Sequence, residues 1–431
     1  MKTTVKFRPV FRTFAVICGI LAATLTPIAQ AADVTIVKAA PRTNTQIAIV
    51  PFAGAESISG IVANDLTNLG QFALDSNLPE RPKSSGEVTL PVWQHQGVPY
   101  LVVGNTRSNR GDIEINFEVI EVGSGRVLDG VQRVSSRNTP NALRLAGHKV
   151  ADRIYELLTG VQGDFSGKIV YVVENGTGKN RVSRLIMSDV DGYNPEILRE
   201  YRGTIKSLNP SLDGKSFTYT AQGEGYPVVY ASDVVSKSSR LLTPFRANNF
   251  SASISPDGSR VLFSSDKDGN PEIYLSTGGG AAQRLTNHPM ADIAPSWAPD
   301  GQSFLFTSDR NGNNRPQIYR YRFATRSIEQ VSRGGSYNTS GRISSDGKKM
   351  SFLSGTQQGA VMDLITGRVS AINNAGLSEA PSISPNGQHL IYSGRNVIII
   401  KSEGKTISIN PHQNGVPAGV IREPIWLKGA P

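Results

Sequence analysis

The sequence has 431 residues, with 45 lysines and arginines against 35 aspartates and glutamates and a formal net charge of +10. This length is enough for two or more domains. The cations are scattered along the chain, which argues against nucleic-acid binding because that function requires a clustered basic face. The single cysteine, Cys18, lies in the first apolar stretch, so the remainder of the chain must fold without disulfides.

Residues 1–31 have the pattern of a secretory signal peptide. Basic residues from Lys2 to Arg12 precede an apolar run, and Ala29-Gln30-Ala31 is a small-x-small cleavage site. We therefore expect cleavage after Ala31 and a periplasmic localisation. The alternative, an uncleaved anchor helix, is disfavoured because the apolar stretch is short for a membrane span. No later segment is long and apolar enough to cross a bilayer, so no direct membrane span is expected.

Residues 32–160 are predicted to form a small α/β domain with a mixed sheet and two helices. TQIAIVPF (45–52) reads as a buried strand, and helical spacing of apolar residues continues from Val62 through Leu69 to Ala73. VPYLVVG (98–104) is a second buried strand. DIEINFEVIEV (112–122) alternates apolar and polar residues, which predicts a strand with one face exposed to solvent. RVLDGVQRV (126–134) is its expected hairpin partner.

The second predicted helix begins with Thr139 as N-cap and Pro140 in its first position, and it ends at Gly160. Residues 161–167 have the composition of a linker. From Lys168 onward, helical patterns stop and short β-rich runs alternate with glycine, asparagine, aspartate and serine. These changes predict that a second domain occupies residues 168–431.

The second domain is built from a repeated turn of the Asp-Gly type. A repeat of about 43 residues that contains four strands indicates a β-propeller blade. Five repeats and one split unit predict a six-bladed β-propeller, in which REPIWL (422–427) supplies the inner strand of the first blade. The C-terminal strand would thereby close the ring. The turn glycines are Gly214, Gly258, Gly301, Gly347 and Gly387.

Motifs for catalysis and metal binding are weak. SDKDGNPE (265–272) resembles part of a calcium loop through Asp266, Asp268 and Glu272, but it lacks the remaining ligands and we interpret it as a polar turn. No G-x-S-x-G or H-E-x-x-H motif occurs. We therefore predict no catalytic residue, metal or cofactor, although a catalytic site assembled across blades stays open. The histidines, which share no motif, are His95, His148, His288, His389 and His412.

Several segments together resemble one family. PSWAPDGQSFLFTSDRNG (295–312) resembles the TolB-type propeller repeat, and IAIVPF, GIVANDLTNLGQF and AGHKVADRIYELLTG resemble the amino-terminal domain of the TolB family in the same order. The resemblance implies a non-catalytic periplasmic adaptor of the Tol–Pal cell-envelope system. Such an adaptor would bind the lipoprotein Pal and the protein TolA, maintain outer-membrane integrity and assist constriction during cell division. Some colicins would use the TolA site for import.

Two alternatives remain at this point, a small-ligand or carbohydrate-binding propeller and a hydrolase-related propeller protein. The adaptor is expected to be a monomer.

The resemblance also implies two binding regions. Pal would bind the face on which the fourth strand of one blade connects to the inner strand of the next. The chain departs from the family pattern there, with Asn248 near a position that is often histidine and Ala294 in place of an acid. TolA would bind residues 32–44 as an added strand, unless that segment is an edge strand of its own domain. The candidates for Pal are Asn248, Asn249, Asp292, Ile293, Ala294, Asn338 and Glu379, and those for TolA are Asp33, Val34, Thr35, Ile36 and Val37.

Overall fold

The computed structural model describes residues 44–69, 71–243, 246–277, 281–312, 314–335, 337–372 and 376–429. The predicted signal peptide and the predicted TolA segment, apart from Asn44, lie outside the described residues.

The amino-terminal part contains a mixed sheet, as predicted. Its strand order is β2-β1-β3-β4, and β5 and β6 both pair with β4. β1 runs parallel to β2 and β3, whereas β3 and β4 form an antiparallel hairpin. The strands are β1 (Thr45–Ile49), β2 (Phe72–Asp75), β3 (Tyr100–Asn109), β4 (Asp112–Glu121), β5 (Arg126–Val127) and β6 (Gln132–Arg137).

Three α-helices accompany this sheet in the described residues: α1 (Glu56–Asn68), α2 (Leu90–Gln96) and α3 (Pro140–Thr159). The bounds predicted for α3 are confirmed, and Gly160 ends the helix in the left-handed conformation with φ 76°. α2 was not predicted, because seven residues carry too little periodicity. It buries Trp93, whose Nε1 donates to Glu80 Oε1 at 2.6 Å.

Two details of the predicted amino-terminal part are wrong. The segment around Ala73 is not helical but forms β2, because backbone pairing with β1 outweighs an apolar spacing that also fits a buried strand. The face of β4 that was predicted to be exposed to solvent is partly covered, and Glu118 is only 8% exposed. Ser85 donates to the Glu118 carboxylate from its backbone N at 2.8 Å and from Oγ at 2.6 Å.

Within the described residues, the second part forms six four-stranded antiparallel sheets, the blades of a propeller. Three strands of blade 1 are β7 (Lys168–Asn175), β8 (Val182–Asp189) and β9 (Glu196–Arg202). Blade 2 contains β10 (Thr204–Pro210), β11 (Ser216–Gln222), β12 (Val228–Asp233) and β13 (Ser239–Leu241). Blade 3 contains β14 (Asn249–Ile254), β15 (Arg260–Ser265), β16 (Glu272–Thr277) and β17 (Ala282–Arg284).

The remaining blades follow in chain order. Blade 4 contains β18 (Asp292–Trp297), β19 (Ser303–Ser308), β20 (Gln317–Arg322) and β21 (Ile328–Gln330). Blade 5 contains β22 (Asn338–Ile343), β23 (Lys349–Ser354), β24 (Gln358–Asp363) and β25 (Val369–Ile372). Blade 6 contains β26 (Ser382–Ile383), β27 (Leu390–Ser393), β28 (Ile398–Ser402) and β29 (Lys405–Ile409). The last strand is β30 (Val420–Leu427).

The C-terminal strand closes the ring, as predicted. β30 is the inner strand of blade 1 and pairs antiparallel with β7, with Trp426 opposite Ile169. Ile425, Trp426 and Leu427 are all buried. Closure removes the unpaired edges that an open sheet would expose.

The Asp-Gly turns follow the predicted chemistry. Gly258 and Gly301 have φ of +74° and +62°, a region that glycine enters without a Cβ penalty. The serine before the turn adds a side-chain bond, since Ser255 Oγ donates to Asp257 Oδ1 at 2.5 Å. The same bond forms from Ser211, Ser344 and Ser384, so side-chain chemistry fixes the turn locally in four repeats, whereas blade 4 has Ala298 at this position.

The amino-terminal part and the propeller share one apolar core. That core extends from Ile47 and Ile154 to Ile391 and Trp426. Phe165, in the segment predicted as a linker, is completely buried within it. Residues 161–167 are thus packed between the two parts.

Candidate functional site

The inner strands are bulged where they line the central channel. Five of them shift register at a residue with left-handed backbone conformation, namely Ser207, Ser251, Ala294, Ser340 and Glu423, with φ between 47° and 58°. Such conformations are costly for residues other than glycine and persist only where surrounding contacts hold them.

Hydroxyl groups of the preceding blade hold three of these bulges. The amide of Ser251 donates to Thr220 Oγ1 at 3.1 Å, and that of Ala294 donates to Ser264 Oγ at 3.1 Å. The amide of Ser340 donates in the same way to a threonine of blade 4, at 2.9 Å. The bulges therefore connect neighbouring blades as well as shaping the channel.

An open cavity lies inside this ring of bulges. Its wall combines hydroxyl groups, backbone and a few charged side chains, so it is polar. The lining includes Ser207, Ser251, Ala294, Ser340, Arg342, Glu379 and Glu423.

Arg342 spans the channel. Its Nη2 donates to the carbonyl of Leu208 at 2.8 Å, and Glu423 Oε2 accepts from the Leu208 amide at 2.6 Å. Arg342 belongs to blade 5 and Leu208 to blade 2, which are opposite one another in a ring of six. Burial lowers the pKa of Arg342 and raises that of Glu423. Arg342 also lines a second, smaller cavity nearer the Asp-Gly turns.

Three of the residues predicted to contact Pal are buried at the starts of inner strands. Asn249 and Asp292 have no exposed surface, and Asn338 is 3% exposed. Asn338 Nδ2 donates to Gln317 Oε1 of the preceding blade at 2.8 Å. Asp292 Oδ2 accepts from Arg310 Nη2 at 2.9 Å, and burial raises the pKa of Asp292. In this structure these side chains stabilise the ring.

The other predicted residues lie closer to the channel mouth. Asn248 is exposed on the rim and donates from its backbone N to Asp266 Oδ1 at 2.9 Å. Ile293 is half-buried beside the channel-lining Ala294. Glu379 lines the same cavity and accepts from Arg422 Nη1 at 3.4 Å. The structure thus brings Ala294 and Glu379 into one cavity.

Sequence reasoning missed most of the cavity wall. The serines Ser207, Ser251 and Ser340 stand at the same distance before the turn glycine in their repeats, and this shared position was the available signal. Nothing local to Arg342 indicated that its side chain would cross the ring.

The weak calcium-loop motif does not assemble. Asp266 accepts from the Asn248 amide, whereas Asp268 accepts from Lys267 Nζ at 2.9 Å and from Tyr274 at 2.8 Å. Glu272 points into the protein and accepts from Arg284 at 2.8 Å. The interpretation of this motif as a polar turn is consistent with these contacts.

One group of described residues has metal-like spacing: ligand atoms of Asp65, His148 and Asp191 lie within 4.8 Å of one another. His148 is buried, and its Nδ1 lies 2.6 Å from Asp65 Oδ2. Arg144 pairs with Asp191 and also contacts Asp189 at 3.3 Å. The guanidinium of Arg144 thereby provides the positive charge that a metal ion would supply. The group connects α1 and α3 to the end of β8.

Another group has the composition of a Ser-His-Asp triad. His389 Nδ1 lies 2.8 Å from Ser402 Oγ, and His389 Nε2 lies 3.6 Å from Asp164 Oδ1. A nucleophile must reach a substrate, but Ser402 is only 7% exposed and its Oγ donates to the carbonyl of Leu69 at 3.2 Å. The group is therefore a structural contact between the propeller and the amino-terminal part.

Replacing Ser402 by alanine is expected to lower the free energy of unfolding by about 1–3 kcal/mol, because it leaves the His389 ring nitrogen and the Leu69 carbonyl without this partner. Chemical denaturation of the S402A variant measures the change. Replacing the exposed Ser124 by alanine is the control and should cost far less. An S402A variant as stable as the parent chain would contradict the structural role.

No helix in the part of the chain that the structure describes is long and apolar enough to span a membrane.

Comparison with known proteins matches both parts of the chain. Residues 155–427 match a family model described as the TolB beta propeller domain, and residues 32–128 match the TolB amino-terminal domain. The crystal structure of TolB from Acinetobacter baumannii is similar with a TM-score of 0.77 and 33% sequence identity. That similarity covers 90% of this chain and 98% of the other.

Relatives of similar sequence carry one printed name, Tol-Pal system protein TolB. The relative from Acinetobacter baylyi is 35% identical over 200 residues, and this alignment spans about half of each chain, 46%. The relative from Xanthomonas campestris pv. campestris is 35% identical over 402 residues, which is 89% of this chain and 90% of the relative. With both family models matched in order and a relative aligned over most of both chains, the chain belongs to the TolB family.

Proposed function

We propose that this protein is a non-catalytic periplasmic adaptor of the Tol–Pal system. It binds Pal through the channel-mouth face of the propeller and TolA through residues 32–44, and it supports outer-membrane integrity and constriction during division. The observation that carries the proposal is the alignment over 89% of the chain with a relative named Tol-Pal system protein TolB. Colicins that exploit the TolA segment are further candidate partners.

The geometry supports recognition at the channel mouth. The ring is rigid because it is closed by β30, and loops on a rigid scaffold are where recognition residues concentrate. Arg246, Asn248 and Arg333 are exposed on connections between blades, and Met290 is 44% exposed on another. These residues surround the entrance, whereas Asp292 and Asn338 lie beneath it.

The cavity behind the mouth favours a second candidate function, the binding of a small polar ligand. Its wall presents hydroxyl groups together with Arg342, Glu379 and Glu423. A ligand that enters there would compete with the protein partner or assist it. The two functions differ in which residues they use, the exposed rim or the cavity wall.

The test is calorimetric titration of the mature chain, from Ala32, with the soluble domain of its cognate Pal. Arg246→Glu and Met290→Asp are expected to weaken binding by about tenfold or more, since they change exposed rim residues without touching the core. Asp300→Lys, in an exposed turn on the opposite side of blade 4, is the matched control and should leave binding unchanged. Asp292 is unsuitable for charge reversal because it is buried.

Each outcome of this titration is decisive. Binding that survives both rim substitutions places the Pal site elsewhere, and no binding at all favours the small-ligand function. A chain lacking residues 32–43 should lose TolA binding and keep Pal binding. Retained TolA binding would exclude that segment as the TolA site.

A further inference from the structure

Asp164 lies where the segment 161–167 meets blade 6 and the closing strand β30. Its Oδ2 accepts from the Asn386 amide at 3.3 Å, and its carbonyl accepts from Trp426 Nε1 at 3.2 Å. His389 lies beside it and stacks on Trp426, with ring centroids 5.3 Å apart. The segment 161–167 is thereby held against blade 6 and the closing strand. We call this group of contacts the junction.

We assign the tautomer of His389 from the hydrogen bonds of Ser402. Ser402 has one hydroxyl proton, which it donates to the Leu69 carbonyl. Ser402 must then accept from His389, so the proton of the imidazole is on Nδ1 and Nε2 carries a lone pair. Burial lowers the pKa of His389 to about 4, which agrees with a neutral ring at neutral pH.

Nε2 of this ring faces Asp164 Oδ1 across 3.6 Å, and both atoms are buried without a hydrogen-bond partner among the described residues. If the carboxyl is ionised, two acceptors face one another, which is unfavourable in a buried site. A proton on Oδ1 converts the carboxyl into a donor. A small approach of the two groups then forms a hydrogen bond of ordinary length.

The surrounding charges also favour a neutral carboxyl. Asp152 on α3 accepts from the amides of Phe165 at 2.6 Å and Ser166 at 3.1 Å, and it adds negative charge near Asp164. Burial, and then Asp152, raise the pKa of Asp164 to about 7, while burial raises that of Asp152 to about 6. The other titratable groups that act on the junction among the described residues are Asp65, Tyr155, Lys349 and Glu403.

We propose that Asp164 carries a proton in the native protein and donates it to Nε2 of His389, so that docking of residues 161–167 between the two parts of the chain is proton-linked. Loss of this proton removes the donor and leaves a buried carboxylate facing a lone pair. The junction is therefore weakened in mildly alkaline solution. This inference does not depend on the proposed function.

The direction of the pH effect on stability follows from the raised pKa of the Asp164 carboxyl. The stabilising contribution is fully present below the ordinary carboxyl range and is lost as the pH rises through about 7. His389 acts in the opposite sense, but only below about pH 6.5, where the unfolded chain gains a proton that the native ring resists. The interval from pH 6.5 to 8.5 therefore contains the last part of the carboxyl contribution with little interference from His389.

Asp164→Asn tests the proposal because asparagine imitates the protonated acid, with an NH₂ donor for Nε2 and an oxygen for the Asn386 amide. The mature parent chain is expected to lose about 1 °C of melting temperature between pH 6.5 and 8.5 relative to D164N, because most of the carboxyl contribution is already lost below pH 6.5. Amides of residues 165–166 and 386 should lose hydrogen-exchange protection over the same interval only in the parent chain, after correction for intrinsic rates. Asp112→Asn, at an exposed position on β4, is the control and should behave as the parent.

A second measurement remains informative if D164N folds poorly. Carbon-13 resonances of the aspartate carboxyls in the parent chain should include one that titrates near pH 7, well above the exposed aspartates. Such a resonance, together with parent-only loss of protection, supports the proposal. Equal pH responses in the parent and D164N, or no aspartate that titrates above pH 6, would overturn it.

Discussion

Removal of residues 420–431 is expected to prevent the propeller from folding. The deletion eliminates β30, the inner strand of blade 1, and exposes the hydrogen-bonding edge of β7. Ile425, Trp426 and Leu427 are buried, and losing such a core side chain costs about 2–5 kcal/mol each. The sum is comparable with the whole stability of a typical protein, about 5–15 kcal/mol. Circular dichroism and thermal unfolding of the truncated chain measure the loss.

The matched control is a chain that lacks only residues 430–431, which follow β30. It should melt at the temperature of the parent chain because every strand of the ring is retained. A cooperative transition near the parent temperature in the longer truncation would show that the ring does not need its closing strand.

Replacing Arg310 by methionine is expected to lower the free energy of unfolding by about 3–5 kcal/mol, because it leaves the buried carboxylate of Asp292 without its cation. Methionine retains apolar contact with the rings of Phe306 and Tyr319, over which the guanidinium lies at 5.0 Å and 4.9 Å. The measured loss therefore reflects mainly the unpaired charge. Urea denaturation at neutral pH is the measurement.

Two comparisons make the Arg310 result specific. Adding Asp292→Asn to Arg310→Met should restore part of the stability, since no charge is then buried. Arg322→Met, which breaks the exposed pair with Glu329 at 2.7 Å, should cost about 1 kcal/mol or less.

The Arg310 effect should also depend on pH. Burial already raises the pKa of Asp292, and removal of Arg310 raises it further, so acidic solution neutralises the carboxyl and reduces the penalty. A loss that is the same at pH 5 and pH 8, or no loss at all, would mean that the ion pair does not stabilise blade 4.

The propeller was predictable because its signals are local and repeated. Each of the five repeats carries its own turn, with a glycine such as Gly258 at positive φ. Four of them also have a serine such as Ser255 bonded to the residue two positions later, and blade 4 has Ala298 instead. The closing strand was also predictable, since Pro424-Ile425-Trp426 repeats Pro295-Ser296-Trp297. In both cases the residues that determine the structure are neighbours in sequence.

The errors occurred where distant segments determine the structure. Ala73 fits a helix by spacing, but the segment pairs with β1 because a parallel partner is available there. Glu118 was expected to be exposed to solvent, but Ser85 covers its carboxylate and donates to it. Neither partner can be recognised from the residues beside the element itself.

The candidate site was harder to predict than the fold. Asn249, Asp292 and Asn338 occupy a repeated position, and repetition shows that a position matters without showing which way its side chain points. In the structure they are buried at the strand starts, whereas the neighbouring bulges face the cavity. Packing between neighbouring blades determines which of these side chains are buried and which face the cavity. These contacts cannot be identified from a single sequence.

The closing strand also imposes an order on how the protein is made. Trp426 contacts Asp164, a residue 262 positions earlier in the chain, and completes a sheet whose other strands begin at Lys168. Synthesis delivers the chain from its amino terminus, so these first strands wait for their partner until β30 is made. During that delay an unpaired strand edge is accessible to chaperones and to other nascent chains. A slow step near the C-terminus would lengthen the delay, which makes the final residues a control point for the yield of folded protein.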